Sequence, residues 1–162
     1  MKEHETNSMN KKGYGSKHQY KSLLIMLLIH FVVMFAVMYT MVYSISDVFI
    51  NLNQFYMTAM MVAPMTFSML LLMSSMYQNK KLNYIYYGTS AVAFVLFFIF
   101  MRAQSFIGDR QFLKSMIPHH SGAVLMCGKA SISDPEIIQL CSQIIESQNR
   151  EIDQMKKILE RL

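Results

Sequence analysis

The stretch SLLIMLLIHFVVMFAVMYTMVYSIS, residues 22–46, contains no formally charged side chain and decides the class of fold. Two further uncharged stretches follow at residues 48–79 and 82–101. Each is long enough to cross a hydrocarbon core about 30 Å thick as a helix. We therefore predict three transmembrane helices, at about residues 22–43, 55–77 and 83–101. The first exceeds a signal-peptide core and lacks a small-residue cleavage site, so we expect it to remain as an anchor.

The charged residues indicate how these helices are oriented. Only 15% of the 162 residues are charged, while 53% are hydrophobic, which excludes a single soluble domain. Short segments rich in lysine stay on the cytoplasmic side of a membrane. We therefore predict a basic cytoplasmic tail at 1–21, an extracytoplasmic domain at 102–162, and a multi-pass protein of the bacterial inner membrane. The lysines that indicate this orientation are Lys2, Lys11, Lys12, Lys17 and Lys21 before the first helix, and Lys80 and Lys81 before the third.

The net charge of +5 reflects mainly this distribution of lysines. Basic residues are not interleaved with aromatic ones in a patch, so we do not expect nucleic-acid binding.

The last third of the chain predicts an antiparallel helical hairpin, which makes the predicted fold all-α. One helix is expected from Asp109 to Ala130, and a second begins at Pro135 after a cap at Ser133 or Asp134. Two helices of this size bury too little surface to be stable alone. We therefore expect a homodimer or larger homo-oligomer that forms a four-helix bundle. The second helix carries a heptad seam of Ile138, Cys141, Ile145, Gln148, Ile152, Met155, Leu159 and Leu162.

The first hairpin helix contains a cluster of soft metal ligands. Met116, His120 and Cys127 fall within about 40° of one another around the helix, and His119 and Met126 share the adjoining strip. Thioether, imidazole and thiolate ligands together suit Cu(I) or Ag(I). The alternative is that the methionines fill a core and the histidines make structural hydrogen bonds.

Two positions on the second helix have a predicted supporting role. Gln148 falls roughly opposite the His pair, and either it or Glu151 could accept a histidine N–H and fix the tautomer of a ligating ring. The alternative for Gln148 is a polar residue that sets the register of a coiled seam.

The two cysteines, Cys127 and Cys141, lie in a predicted oxidising compartment, where a disulfide can form. A hairpin apex near Ile132 would offset them by about 6 Å along the helices, which disfavours the bond. A shifted apex would close that gap.

Methionine is also abundant in the membrane region, and the chain holds 17 methionines in total. On helices one and two they recur at steps of three or four residues and form a stripe on each helix. These stripes predict a relay of weak Cu(I) sites, with a histidine as the intramembrane imidazole. Ordinary helix packing is the alternative. The stripe residues singled out are Met26, His30, Met34 and Met38 on helix one, and Met61, Met65 and Met69 on helix two.

From Asp109 onward the chain resembles domain-of-unknown-function family 305. The resemblance implies a ferritin-like helical bundle, similar to envelope copper-binding proteins implicated in copper resistance. It implies metal ligation by Met116, His119, His120, Met126 and Met155. The matching positions are Asp109, Phe112, Met116, His119, His120, Ala123 and Met126 on the first helix, and Gln148, Glu151, Ile152 and Met155 on the second.

Three functions follow from these features. The first is a membrane-anchored extracytoplasmic Cu(I)-binding protein that buffers the ion or exchanges it with copper-transport or copper-chaperone proteins. The second is an enzyme, either a copper oxidoreductase or a di-iron oxidase, and the absence of paired Glu-x-x-His motifs disfavours the di-iron form. The third is a structural or assembly subunit whose histidines make interhelical hydrogen bonds. Active pumping is not expected, because the spans carry no charge and the chain has no nucleotide motif.

Overall fold

The computed structural model describes the backbone of residues 2–162 and the side chains of residues 18–162. Its helices are α1 (Lys2–Val37), α2 (Leu52–Leu72), α3 (Lys80–Arg102), α4 (Asp109–Lys129) and α5 (Pro135–Arg161). Two 3-10 turns, Met38–Met41 and Ile45–Asp47, lie between α1 and α2. The described backbone contains no β-strand, which confirms the all-α prediction.

Three helical segments are long and apolar enough to cross a membrane, as predicted: His18–Met41, Leu52–Leu72 and Lys80–Arg102. The second ends at Leu72 rather than residue 77, because a turn replaces the helix at residues 73–76. Large apolar side chains on these segments are exposed, which suits contact with lipid. The predicted tail at 1–21 falls mostly on residues whose side chains lie outside the described part of the chain.

The helices of the membrane region belong to a compact unit of residues 1–34 and 56–100. Its core is a cluster of Tyr20, Leu23, Leu70 and Tyr77, which brings the three helices together at one end. The Tyr20 hydroxyl donates a hydrogen bond to Asn83 Oδ1 over 2.5 Å. Tyrosine suits the end of a candidate membrane helix, because its ring is apolar and its hydroxyl needs a polar partner.

The second compact unit, residues 35–55 and 101–162, contains the hairpin of α4 and α5. Asp134 caps α5 by accepting hydrogen bonds from the backbone N–H groups of Glu136 and Ile137. The heptad seam is buried only in the carboxyl-terminal half of α5, since Ile138 remains 50% exposed. The core cluster consists of Leu113, Ile117 and Val124 from α4, and Ile152, Met155 and Leu159 from α5.

The prediction that geometry disfavours a disulfide is wrong. Cys127 and Cys141 are bonded to each other, and their Cα atoms lie 5.1 Å apart. The residues that flank the turn, Ala130 and Asp134, are extended, with ψ angles of 141° and 126°. This extended connection moves the apex of the hairpin from Ile132 toward Asp134, so that the two cysteines face each other.

Candidate functional site

The buried His120 side chain joins α4 to α5 through hydrogen bonds at both ring nitrogens. Nδ1 lies 2.9 Å from the backbone oxygen of Met116, and Nε2 lies 2.8 Å from Glu151 Oε2. A carbonyl oxygen can only accept, so Nδ1 carries the hydrogen and donates it. Nε2 therefore either donates to an ionised carboxylate or accepts a hydrogen bond from a protonated one. Glu151, rather than Gln148, supplies the predicted partner for the histidine.

Two methionine thioethers lie one helical turn from His120 and Glu151. Met116 precedes His120 by four residues on α4, and Met155 follows Glu151 by four residues on α5. Because residues four apart share a helix face, the four side chains lie on the facing surfaces of the two antiparallel helices. Met155 is buried in the core cluster, and the half-buried Met116 packs against that cluster. The hairpin thus brings two thioethers, one imidazole and one carboxylate to adjoining turns.

The structure does not bring the other predicted ligands to this place. His119 is exposed, with its ring centre 6.0 Å from that of His120. Met126 is 61% exposed and lies about 9 Å further toward the hairpin tip. Cys127 is held in the disulfide, and Gln148 is half-buried one turn nearer the tip than Glu151.

Within the described side chains, no group of three or more His, Cys, Asp and Glu residues is gathered around a common point that could hold a metal ion. Methionine thioethers also bind soft metal ions, so a metal site around His120 would depend on Met116 and Met155.

Sequence reasoning missed a buried carboxylate that contacts both hairpin helices. Asp47, only 5% exposed, accepts a hydrogen bond from the Ser121 hydroxyl over 2.6 Å. Its other oxygen accepts one from Lys156 Nζ, also over 2.6 Å. Ser121 Oγ in turn accepts the backbone N–H of Tyr43. Asp47 is the only acidic residue between Glu5 and Asp109, and this isolation was a signal in the sequence.

The connection between α1 and α2, and the start of α2, are hydrogen-bonded to α4 at several further residues. The Asn51 side-chain amide donates to the backbone oxygen of Lys114, and the backbone N–H of Leu52 donates to Gln111 Oε1. Asn53 Nδ2 donates to Ser115 Oγ. Together with Asp47, these bonds fix the face of α4 that carries Ser121, next in sequence to His120.

The methionine stripes of the membrane region lie on partly buried helix faces. Met26, His30, Met34 and Met38 are all half-buried, whereas Met61 is 49% exposed. Met26 and Met69 pack against the cluster around Tyr20. His30 Nδ1 donates to the backbone oxygen of Met26 over 2.9 Å. Packing accounts for these contacts, and the Cu(I) relay, which also includes Met65, stays a prediction.

The chain is thus a helical protein in which three candidate membrane helices are followed in sequence by a helical hairpin. The chain belongs to the family of the domain of unknown function 305 (DUF305), whose pattern matches residues 100–159. An uncharacterized protein of Acanthamoeba polyphaga mimivirus is 39% identical over 120 residues, which cover 72% of this chain and 76% of that protein. No solved structure matches the chain.

Proposed function

We propose that the hairpin is a Cu(I)-binding domain attached to a membrane anchor. The observation that carries this proposal is the placement of Met116, His120 and Met155 on adjoining turns of α4 and α5. Thioether and imidazole ligands select a soft monovalent ion such as Cu(I) or Ag(I) over hard cations, which prefer oxygen. The apolar cluster around Met155 shields these ligands from water.

The hydrogen bonds of His120 prepare its ring for ligation. The Met116 carbonyl holds the hydrogen on Nδ1, which leaves Nε2 as the ligating nitrogen. Cu(I) must displace Glu151 from Nε2, and the Glu151 side chain is 46% exposed, so it can turn toward solvent. Its carboxylate then lies near the bound cation and compensates part of the positive charge. Copper binding releases a proton when the starting state is the imidazolium.

The exposed His119 suits capture of the ion before it reaches the buried ligands. Its ring lies on the solvent side of α4, next in sequence to His120. Met126 offers a further exposed thioether on the same helix. We assign these two residues to entry and exchange of Cu(I), including exchange with copper-transport or copper-chaperone proteins.

We further propose that the hairpin lies on the extracytoplasmic side of the membrane, as in a bacterial inner membrane. The lysine-rich segments before the first and third spans support this orientation. Fusion of a reporter enzyme that is active only outside the cytoplasm to Leu162 tests it. Activity of the fusion supports the orientation, and activity of the same reporter only at the amino terminus contradicts it.

A homodimer completes the proposed bundle. The first turns of α5 expose Ile137, Ile138 and Leu140, each about half accessible, which a second hairpin would cover. Cross-linking of the protein in a bilayer measures the oligomeric state. A monomer at all concentrations would contradict the dimer.

A structural or assembly subunit without metal is the second candidate function. The hydrogen bond between His120 and Glu151 favours it, because this interhelical contact satisfies the buried imidazole without an ion. It predicts folding and oligomerisation that do not depend on copper.

Competitive titration of Cu(I) against a chromophoric chelator separates the two functions. The full chain in detergent, with its disulfide intact, is compared with His120→Ala and with His119→Ala. We expect stoichiometric binding by the wild type and a loss of at least tenfold in affinity for His120→Ala, with a smaller change for His119→Ala. Equal affinity in all three proteins, or no binding, would support the structural subunit.

A further inference from the structure

The hairpin tip carries a pair of sulfur atoms that the site around His120 does not use. Cys127 on α4 and Cys141 on α5 are both half-buried, and their Cα atoms lie 5.1 Å apart. The disulfide is not the only link between these helices, because the core cluster and the contact between His120 and Glu151 also join them. When the bond is reduced, these other contacts keep the two thiols facing each other.

We propose that Cys127 and Cys141 form a second Cu(I) site, which is closed while the disulfide is intact and opens when a dithiol reduces it. The dithiol is oxidised to its own disulfide and supplies two electrons and two protons, so the protein disulfide becomes two thiols. One Cu(I) ion then replaces the two thiol protons and is bound by two thiolates. This site shares no ligand with the site around His120, and it stands or falls separately.

The spacing of the cysteines fits a two-coordinate ion. Metal–thiolate bonds of about 2.3 Å allow two sulfur atoms on opposite sides of a metal to lie up to about 4.6 Å apart. Two side chains whose Cα atoms are 5.1 Å apart reach that separation by rotation about their Cα–Cβ bonds. The backbone of the hairpin does not have to move.

The surroundings of the pair favour Cu(I) over zinc. Structural Zn²⁺ requires four ligands, usually Cys or His. The described side chains place no group of three or more His, Cys, Asp and Glu residues together, so the cysteine pair lacks the other ligands that Zn²⁺ would need. Two thiolates without further ligands suit a soft monovalent ion.

Neither cysteine is fully buried, because Cys127 and Cys141 are both half-buried and Gly128, directly after Cys127, is exposed. An incoming dithiol must approach a sulfur atom from solvent, and this position at the surface of the hairpin tip allows that approach. The redox state of the hairpin tip therefore sets how many Cu(I) ions the domain holds.

The test measures Cu(I) stoichiometry in the full chain in detergent, before and after reduction. Dithiothreitol reduces the protein and is removed under anaerobic conditions before titration. The reduced wild type is expected to bind one more Cu(I) than the oxidised wild type, with an ultraviolet thiolate-to-copper absorption band. The additional ion and its band should be retained in the reduced His119→Ala/His120→Ala protein.

Two controls lack the thiolates. Cys127→Ser/Cys141→Ser should bind the same number of ions with and without reductant, and its helicity is checked by circular dichroism. Reduced wild type alkylated with iodoacetamide is a second control that requires no refolded variant. Equal stoichiometry in oxidised and reduced wild type, or an additional ion that persists in both controls, would overturn the dithiol site. If the oxidised wild type binds no Cu(I) and the reduced wild type binds one ion, the dithiol site is supported and the site around His120 is contradicted.

Discussion

Lys156 Nζ lies 2.6 Å from Asp47 Oδ1, although 109 residues separate the two in the chain. The pair joins the carboxyl-terminal part of α5 to the connection between α1 and α2. Asp47 also accepts the Ser121 hydroxyl, so one carboxylate contacts both helices of the hairpin. The hairpin is therefore held by a charged contact with the connection as well as by its apolar core.

Removal of the Asp47 charge should destabilise the hairpin. Asp47→Asn keeps the size of the side chain but loses the ion pair, and a cost of about 1–3 kcal/mol is expected because the carboxylate is buried. Thermal unfolding in detergent measures it. Lys156→Met should lower stability less in the Asp47→Asn background than in the wild type. Lys157 is the exposed neighbouring lysine, and the control Lys157→Met should change stability little in either background. Purely additive effects of Asp47→Asn and Lys156→Met would show that the pair contributes nothing.

The two glycines of α4 should respond differently to alanine. Alanine favours a helix over glycine by about 1 kcal/mol. At Gly128 the new methyl group meets nothing, so Gly128→Ala should stabilise the protein. At Gly122 it would lie 3.3 Å from the backbone oxygen of Met41, so Gly122→Ala should gain less or lose stability. Comparison of the two unfolding temperatures measures the difference, and an equal gain at both positions would contradict the close approach of α4 to residue 41.

Reduction of the disulfide should destabilise the hairpin but leave it folded. The bond joins two residues that are 14 apart in sequence. A disulfide that closes a loop of this size stabilises the folded state by about 3 kcal/mol, because it lowers the entropy of the unfolded chain. Hydrogen exchange of the α4 and α5 amides, compared with and without reductant, should show faster exchange near Cys127 than near Leu159. Uniform loss of protection along both helices would mean that the core cluster cannot hold the hairpin alone.

The two adjacent histidines should differ in their effect on stability. His120→Ala removes the contact with Glu151 and the hydrogen bond to the Met116 carbonyl, and should cost about 1–3 kcal/mol. His119→Ala should lie within about 0.5 kcal/mol of the wild type, because that side chain is exposed. Thermal unfolding without copper measures both. A large cost for His119→Ala would contradict its position on the surface of α4.

Periodicity and charge predicted the number of candidate spans and the helical hairpin, and Asp134 was one of the two caps considered for α5. These features depend on local chemistry, such as uncharged stretches or an acid before proline. The disulfide was not predicted, because it depends on the conformation of the connection between α4 and α5, in which Ala130 and Asp134 are extended. A shift of the apex by two residues decides which side chains face each other, and a heptad pattern does not contain that shift.

The site was predicted only in part for the same reason. Met116, His120 and Met155 were named from the residues and the family resemblance, and their partner Glu151 was one of two choices. The choice depends on the register of α5 against α4, which the extended connection sets. The role of Asp47 depends on contacts more than seventy residues away in the chain, with Ser121 and Lys156. No local pattern reveals such contacts.

The most direct test of the proposed Cu(I) site around His120 is X-ray absorption at the copper K-edge of the loaded, disulfide-intact protein. We predict scattering from both sulfur and nitrogen, with the sulfur contribution lost in Met116→Leu/Met155→Leu and retained in the matched control Met126→Leu. Because cysteine sulfur is held in the disulfide, the sulfur signal must come from methionine. A spectrum of nitrogen and oxygen alone, or one unchanged in the double variant, would contradict the site.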